Sequence, residues 1–176
     1  MSLTHTQTLH GVFLNIAGVG TLLTGASGIG KSEIALQLIH QGNHQLIADD
    51  APEFNLQDAR LIGQCPALLQ DFLAVQGLGV LNIRQLFGNH AICSKAPLEL
   101  IIELRRLTKI SGEALIHGYP SERTILGVVV PQITLPYRPY RPMAVMVECA
   151  VRNHLLNKQG YFSSHSFQQQ HRQALS

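Results

Sequence analysis

The chain has 176 residues, 45% of them apolar and only 14% charged, which is enough apolar material for one compact core and excludes a disordered chain. The formal net charge of +2 and the lack of a dense Lys/Arg stripe argue against a nucleic-acid binder. Cys65, Cys93 and Cys149 are far apart with no C-x-x-C. They read as small buried hydrophobes, neither disulfides nor a zinc site. The chain lacks a basic start and a run of about 18 apolar residues, so no membrane span is expected and a cytoplasmic protein is the simplest reading.

Residues 1 to 9 are polar and expected to be loose. Val12, Leu14 and Ile16 alternate with Phe13 and Asn15, which predicts a strand. Gly18 and Gly20 mark a turn into a second, buried strand over Gly20 to Thr24. Directly after it, Gly25-Ala26-Ser27-Gly28-Ile29-Gly30-Lys31-Ser32 completes the phosphate-binding pattern G-x-x-x-x-G-K-S. The glycines let backbone N–H groups turn inward as an anion nest. In such a loop Lys31 reaches the β- and γ-phosphates and the Ser32 hydroxyl ligates Mg²⁺. Ile34, Ala35, Leu38 and Ile39 then recur at helical spacing until Gly42. Strand, loop and helix are the context that separates a nucleotide site from a glycine-rich turn that binds nothing.

Leu46-Ile47-Ala48 is a short apolar run ending in Asp49-Asp50. Two carboxylates at the end of a strand beside a phosphate loop suit phosphoryl transfer. One can hold the metal, directly or through water, and the other can accept the proton of an attacking hydroxyl. Taken alone, the pair reads equally as a solvated turn.

Glu53 to Gln57 and Arg60 to Gly63 predict a hairpin around Gln57-Asp58-Ala59, and Pro66 to Phe72 a helical turn or two. Leu73 to Val75 and Val80 to Ile83 flank Gly77-Leu78-Gly79. Leu98 to Leu104 is either a strand or a short helix, and the preceding Pro and the short run favour a strand. Residues 105 to 124 are polar and mixed, and are expected to form a long mobile loop. Ile125 to Val130 and Ile133 to Leu135 predict two further strands. Met143, Met146, Val147, Ala150, Val151 and Leu155 line one stripe of a helix over Met143 to Lys158, between Pro142 and Gly160. No internal repeat or linker divides the chain. Residues 1–162 read as one P-loop domain and 163–176 as a polar, frayed tail.

Several of these motifs, taken in order, resemble the HPr kinase/phosphorylase family. They are His10-Gly11, Gly25 to Glu33, Ala35-Leu36-Gln37-Leu38, Leu46 to Asp50, Leu61-Ile62-Gly63 with Pro66, Gly77-Leu78-Gly79-Val80 and Leu86-Phe87-Gly88. Ile125 to Val128, Val130 to Thr134, and Glu148, Ala150 and Gly160-Tyr161 extend the match to residues 9–162. The resemblance is to the family's catalytic domain alone, without its N-terminal domain.

It implies an α/β fold with a P-loop core similar to phosphoenolpyruvate carboxykinase, a mixed β-sheet, a P-loop helix and a C-terminal helix. The implied activity is an ATP-dependent protein-serine kinase acting on the phosphocarrier HPr of the sugar phosphotransferase system, with possible phosphorolytic dephosphorylation. ATP and Mg²⁺ are the implied cofactors, HPr the implied partner, and a homo-oligomer, a hexamer in the family, the implied assembly. By motif match, Gly25, Ala26, Ser27, Gly28, Ile29, Gly30, Lys31 and Ser32 bind phosphate, and Ser32 and Asp49 hold the metal. Asp50 is the base with Asp49 beside it, and His10 matches an active-site histidine. Arg123, Arg138 and Arg141 are possible phosphate or partner contacts.

The match departs in three places. The family's E-I-R-G is Ala74-Val75-Gln76-Gly77, so a metal-binding Glu is replaced by Ala74 and an Arg by Gln76. Its P-V-x-P-G-R-N loop is Pro136 to Pro142, with Tyr140 and Pro142 in place of Gly and Asn. Its D-R-L-G segment has no clear counterpart, and Arg123 stands in that region in another context. These departures keep two other readings in view, a nucleotide-binding regulatory module with weakened catalysis and a small-molecule kinase on the same fold.

Overall fold

The computed structural model describes residues 6–175. Of the N-terminal stretch expected to be loose, residues 1–5 lie outside the described residues. The rest opens a strand, β1 (Thr6–Thr8). β2 (Val12–Ile16) and β3 (Val19–Gly25) follow as an antiparallel pair joined through Ala17 (φ 51°) and Gly18 (φ 85°), the left-handed two-residue turn that matches strand twist. α1 (Lys31–His40) leads to β4 (His44–Ala48), then to the hairpin β5 (Glu53–Gln57) and β6 (Arg60–Gln64). Pro66 precedes only a 3-10 turn over Ala67–Leu69, shorter than the helical turns expected up to Phe72. β7 (Phe72–Val75), β8 (Gly79–Asn82) and α2 (Ile83–Phe87) come next, with β7 and β8 antiparallel. The remaining elements are β9 (Lys95–Pro97), β10 (Leu100–Arg105), α3 (Ala114–His117), β11 (Pro120–Ile125) and β12 (Val128–Pro136). The chain closes with α4 (Met143–Lys158) and α5 (Ser163–Ala174).

The centre is a mixed six-stranded sheet of order β11-β12-β10-β3-β2-β4, in which β3, β10 and β12 run parallel. One face carries α1 and α4. Val12, Leu14 and Ile16 of β2, Leu23 of β3 and Leu100, Ile102 and Leu104 of β10 point into that core, against Ala35 and Leu38 of α1 and Val147 and Val151 of α4. The alternate residues Phe13, Leu22 and Ile101 face the other way. There they meet Phe54 and Leu61 from a four-stranded antiparallel sheet of order β1-β5-β6-β9. The period-2 pattern of β2 thus divides its side chains between two cores, as its sequence indicates.

Three expectations are corrected. Residues 105–124 are not one long loop, because Pro120–Ile125 is a strand that pairs with β12 from Pro120↔Ile133 to Ile125↔Val128. Ile125 to Val130 is accordingly not one strand but the corner between β11 and β12. Leu126 (φ 47°) and Gly127 (φ 80°) turn the chain there, and Ile133 to Leu135 continue β12. A Leu at a left-handed turn position hides the turn, since β-strand composition runs straight through it. The segment from residue 163, expected to be frayed, forms the 12-residue helix α5, which buries none of its residues. Its polar composition has no apolar stripe, which is why the helix is not legible in its sequence. No described helix is long and apolar enough to cross a membrane.

Candidate active site

The loop from Gly25 to Gly30 leaves the C-terminal end of β3 and enters α1 at Lys31. Gly25 (φ 140°) passes so close to β10 that a Cβ there would lie 2.6 Å from the Leu104 carbonyl oxygen. Gly30 (φ 107°) precedes α1 with no side-chain cap, so the first N–H groups of the helix are left for an anion. Lys31 folds back along the loop, its Nζ donating to the carbonyls of Gly25 (3.0 Å) and Ala26 (3.1 Å). The ammonium therefore sits on the loop where phosphate oxygens would replace those carbonyls.

β4 delivers the acidic pair to the same place. Ser32 Oγ donates to Asp49 Oδ1 at 3.3 Å, which joins the P-loop helix to the carboxylate. The backbone N–H of Ala74 donates to Asp49 Oδ2 at 2.8 Å. Burial pushes the Asp49 carboxyl above the ordinary range, Asp50 adds to the rise, and the Ala74 and Ser32 hydrogen bonds oppose it. A half-buried carboxylate whose burial outweighs its two hydrogen bonds is a good seat for a cation.

Asp50 differs. Its backbone is in the left-handed region (φ 67°) and its side chain is exposed. The backbone bonds Leu9 N–H to Pro52 O and Gly11 N–H to Asp50 O lash residues 9–11 alongside it. This brings His10 Nδ1 to 3.7 Å from Asp50 Oδ1. The sequence-nominated Lys31, Ser32, Asp49, Asp50 and His10 are thus gathered at one end of the central sheet. A cleft of about 260 Å³ is lined by Ser27, Gly28, Gly30, Lys31, Ser32, Asp49 and Asp50, with Ala74 and Gln76 on its wall, while His10 stays outside its lining, beside Asp50. The two departures in the E-I-R-G signature therefore fall inside the site.

The three arginines do not converge. Arg141 lines an adjoining cleft with Gly28, Gly30, Glu33, Gln76 and Tyr137. Arg123, on β11, lines a separate cleft beyond Gly25 and Ala26 together with Arg105 and Arg106. Arg138 lines neither. Two contributors escaped the sequence reading. The Ala74 N–H is a backbone donor, which no residue type announces. Glu33 lies within the quoted loop motif and lines both clefts, so the motif's last residue was its signal.

Among the described residues no three His, Cys, Asp or Glu side chains gather as a metal site. Asp49 with Ser32 is the donor set facing the loop, and it fits Mg²⁺, which keeps several waters and takes the rest of its shell from phosphate oxygens.

A glycine-rich loop joining a central parallel strand to a helix, beside an acidic pair just past the end of β4, defines a P-loop-type α/β fold. The chain belongs to the HPr serine kinase C-terminal domain family, whose model matches residues 1–171. It is 48% identical over 157 residues to the HPr kinase/phosphorylases of Xanthomonas campestris pv. campestris (strain B100) and Xanthomonas oryzae pv. oryzae (strain PXO99A). These matches cover 87% of this chain and 49% of each relative, so the chain spans about half the length of the curated relatives it matches. The solved structure of the Hpr(Ser) kinase/phosphatase from Coxiella burnetii matches with a TM-score of 0.83 and 37% identity, covering 92% of this chain and 98% of that one.

Proposed function

We propose that this chain is the catalytic domain of an ATP-dependent protein-serine kinase whose substrate is HPr or an HPr-like phosphocarrier. The observation that carries the reading is the convergence of Lys31, Ser32, Asp49 and Asp50 on one cleft at the phosphate loop. The relatives' names supply the substrate.

In this reading the backbone N–H groups from Ser27 to Ser32 cradle the nucleotide's phosphates. Lys31 leaves the Gly25 and Ala26 carbonyls for the β- and γ-phosphate oxygens. Ser32 and Asp49 hold Mg²⁺, which when bound would neutralise charge on the phosphate oxygens. Asp50, exposed at the mouth of the cleft, takes the proton from the attacking serine hydroxyl. The serine oxygen forms the new bond to the γ-phosphorus as the bond to the β-phosphate oxygen breaks, and ADP leaves with that electron pair. His10, exposed and 3.7 Å from the Asp50 carboxylate, lies beside the base. Arg141 lines the adjoining cleft, and in this reading it meets inorganic phosphate or the protein substrate, which extends the reading to the phosphorolytic reverse reaction.

Incubating the chain with HPr, ATP and Mg²⁺ and weighing HPr by mass spectrometry tests this. The expected result is HPr heavier by one phosphoryl group. One observation favours a second reading, a nucleotide-binding module with weakened catalysis: Ala74 brings no carboxylate to the cleft wall. Nucleotide binding without transfer to HPr would select it.

A further inference from the structure

The carboxylate of Asp49 is oriented by a backbone group, the N–H of Ala74. Ala74 sits in β7, whose hairpin with β8 has only four residue pairs. Two-stranded hairpins of that length are marginal by themselves. Leu73 and Val75 tie one face of β7 into the core, and the alignment of the Ala74 N–H between them depends further on what fixes the hairpin's base.

That base is closed by an ion pair. Arg84 Nε donates to Asp71 Oδ2 at 2.5 Å and its terminal NH2 group to Asp71 Oδ1 at 3.0 Å, a bidentate fork. The other terminal nitrogen donates to Asn89 Oδ1 at 2.9 Å. Asp71 immediately precedes β7, and Arg84 lies in the first turn of α2, directly after β8. The Ile83 N–H also donates to the Asp71 carbonyl at 2.8 Å. Asp71 stands at φ 71°, so the chain enters β7 through a left-handed residue held on both its carbonyl and its carboxylate. From that anchor Ala74 is three residues along an extended strand, roughly 10 Å.

We propose that Arg84, through its fork on Asp71, is a positioning residue that fixes the β7–β8 hairpin so that the Ala74 N–H aligns the Asp49 carboxylate for the metal. Asp71 and Arg84 lie outside the loop motif and line neither the cleft at the phosphate loop nor the adjoining one with Arg141. It also accounts for how the site keeps a contact from position 74 although the side chain there is alanine. The proposal rests on the reading of Asp49 as a Mg²⁺ ligand.

The test uses the whole chain and the variants Arg84→Gln, Arg84→Lys and Asp71→Asn. Hydrogen exchange at the Ala74 amide is read in metal-free protein, and the Mg²⁺ concentration for half-maximal ATP binding is read separately. Releasing a hydrogen bond to a charged group corresponds to roughly tenfold. Arg84→Gln and Asp71→Asn are therefore expected to speed Ala74 exchange and raise the Mg²⁺ requirement by about that factor, with Arg84→Lys between them and the wild type. Metal-free ATP binding is expected to stay unchanged. If Ala74 exchange is unaltered relative to its neighbours in all three variants, the proposal is overturned, even where melting temperature falls. Faster exchange at an unchanged Mg²⁺ requirement also overturns it, by separating hairpin order from metal binding. Neither readout involves HPr, so failure to phosphorylate HPr would count against the kinase reading and leave this result standing.

Discussion

Replacing Asp49 by Asn tests the site's electrostatics in a form that separates stability from function. The amide can keep both existing contacts, its oxygen accepting from the Ala74 N–H and its NH2 facing Ser32 Oγ. What disappears is a charge that burial opposes and that Asp50 repels. The folded-state pKa lies above the unfolded one. The stability this group contributes is thus fully present below the unfolded value of 3.8 and is lost as pH rises through the folded value. At neutral pH the wild type carries this penalty and Asp49→Asn does not. Because the group is only half-buried, solvent screening limits the gain to about 1 kcal/mol, which in a domain of this size is a melting shift of about 2–4 °C. Thermal melts in EDTA are expected to show Asp49→Asn melting higher than wild type at neutral pH, with the gap closing in acid. In the presence of Mg²⁺ and ATP the order is expected to reverse, because only the carboxylate binds the metal. A variant that melts lower than wild type in EDTA, or that keeps the full Mg²⁺ stabilisation, would refute the argument.

Three further outcomes follow from named contacts. Lys31→Met removes the ammonium from the loop and is expected to weaken ATP binding by roughly ten- to a hundredfold in calorimetry, the size of one or two charged hydrogen bonds. Gly63→Ala would set a Cβ 2.4 Å from a Phe54 ring carbon and 2.5 Å from one of Phe13, inside an edge-to-face pair whose centroids are 5.1 Å apart. Overpacking of that kind costs about 1–3 kcal/mol, readable as a lower urea midpoint, and an unchanged midpoint would contradict the packing described. Burial first, and then the nearby carboxylates of Asp71, Glu53 and Asp49, push the Cys65 thiol up to about 11. A thiol reagent at neutral pH is therefore expected to modify exposed Cys149 and to reach Cys65 only after unfolding.

The site's skeleton was legible because its chemistry is local. Gly25 to Ser32 is one loop, and Asp49-Asp50 ends the next strand, so a single strand-loop-helix-strand unit carries most of the machinery. The alternation in β2 and the stripe of α4 were legible for a similar reason, since each faces a core with its own period. What the sequence hid was non-local or belonged to the backbone. β11 is polar along its length because it is an edge strand with five of its six residues exposed, and only its register with β12 makes it a strand. The Ala74 N–H and the left-handed Asp50 depend on where the chain runs and not on which residues it contains. The Asp71–Arg84 fork joins residues whose spacing belongs to no motif.

The central claim is that the cleft beneath the P-loop transfers phosphate to a serine of HPr with Asp50 as base. Intact-mass measurement of HPr, with the modified residue mapped, addresses it most directly when wild type and Asp50→Asn are run side by side. Wild type is expected to add one phosphoryl group to a single serine, dependent on ATP and Mg²⁺, while Asp50→Asn binds ATP as tightly but transfers at least about a hundredfold more slowly. Unmodified HPr from a wild-type chain that binds nucleotide, or full-rate transfer by Asp50→Asn, would contradict it.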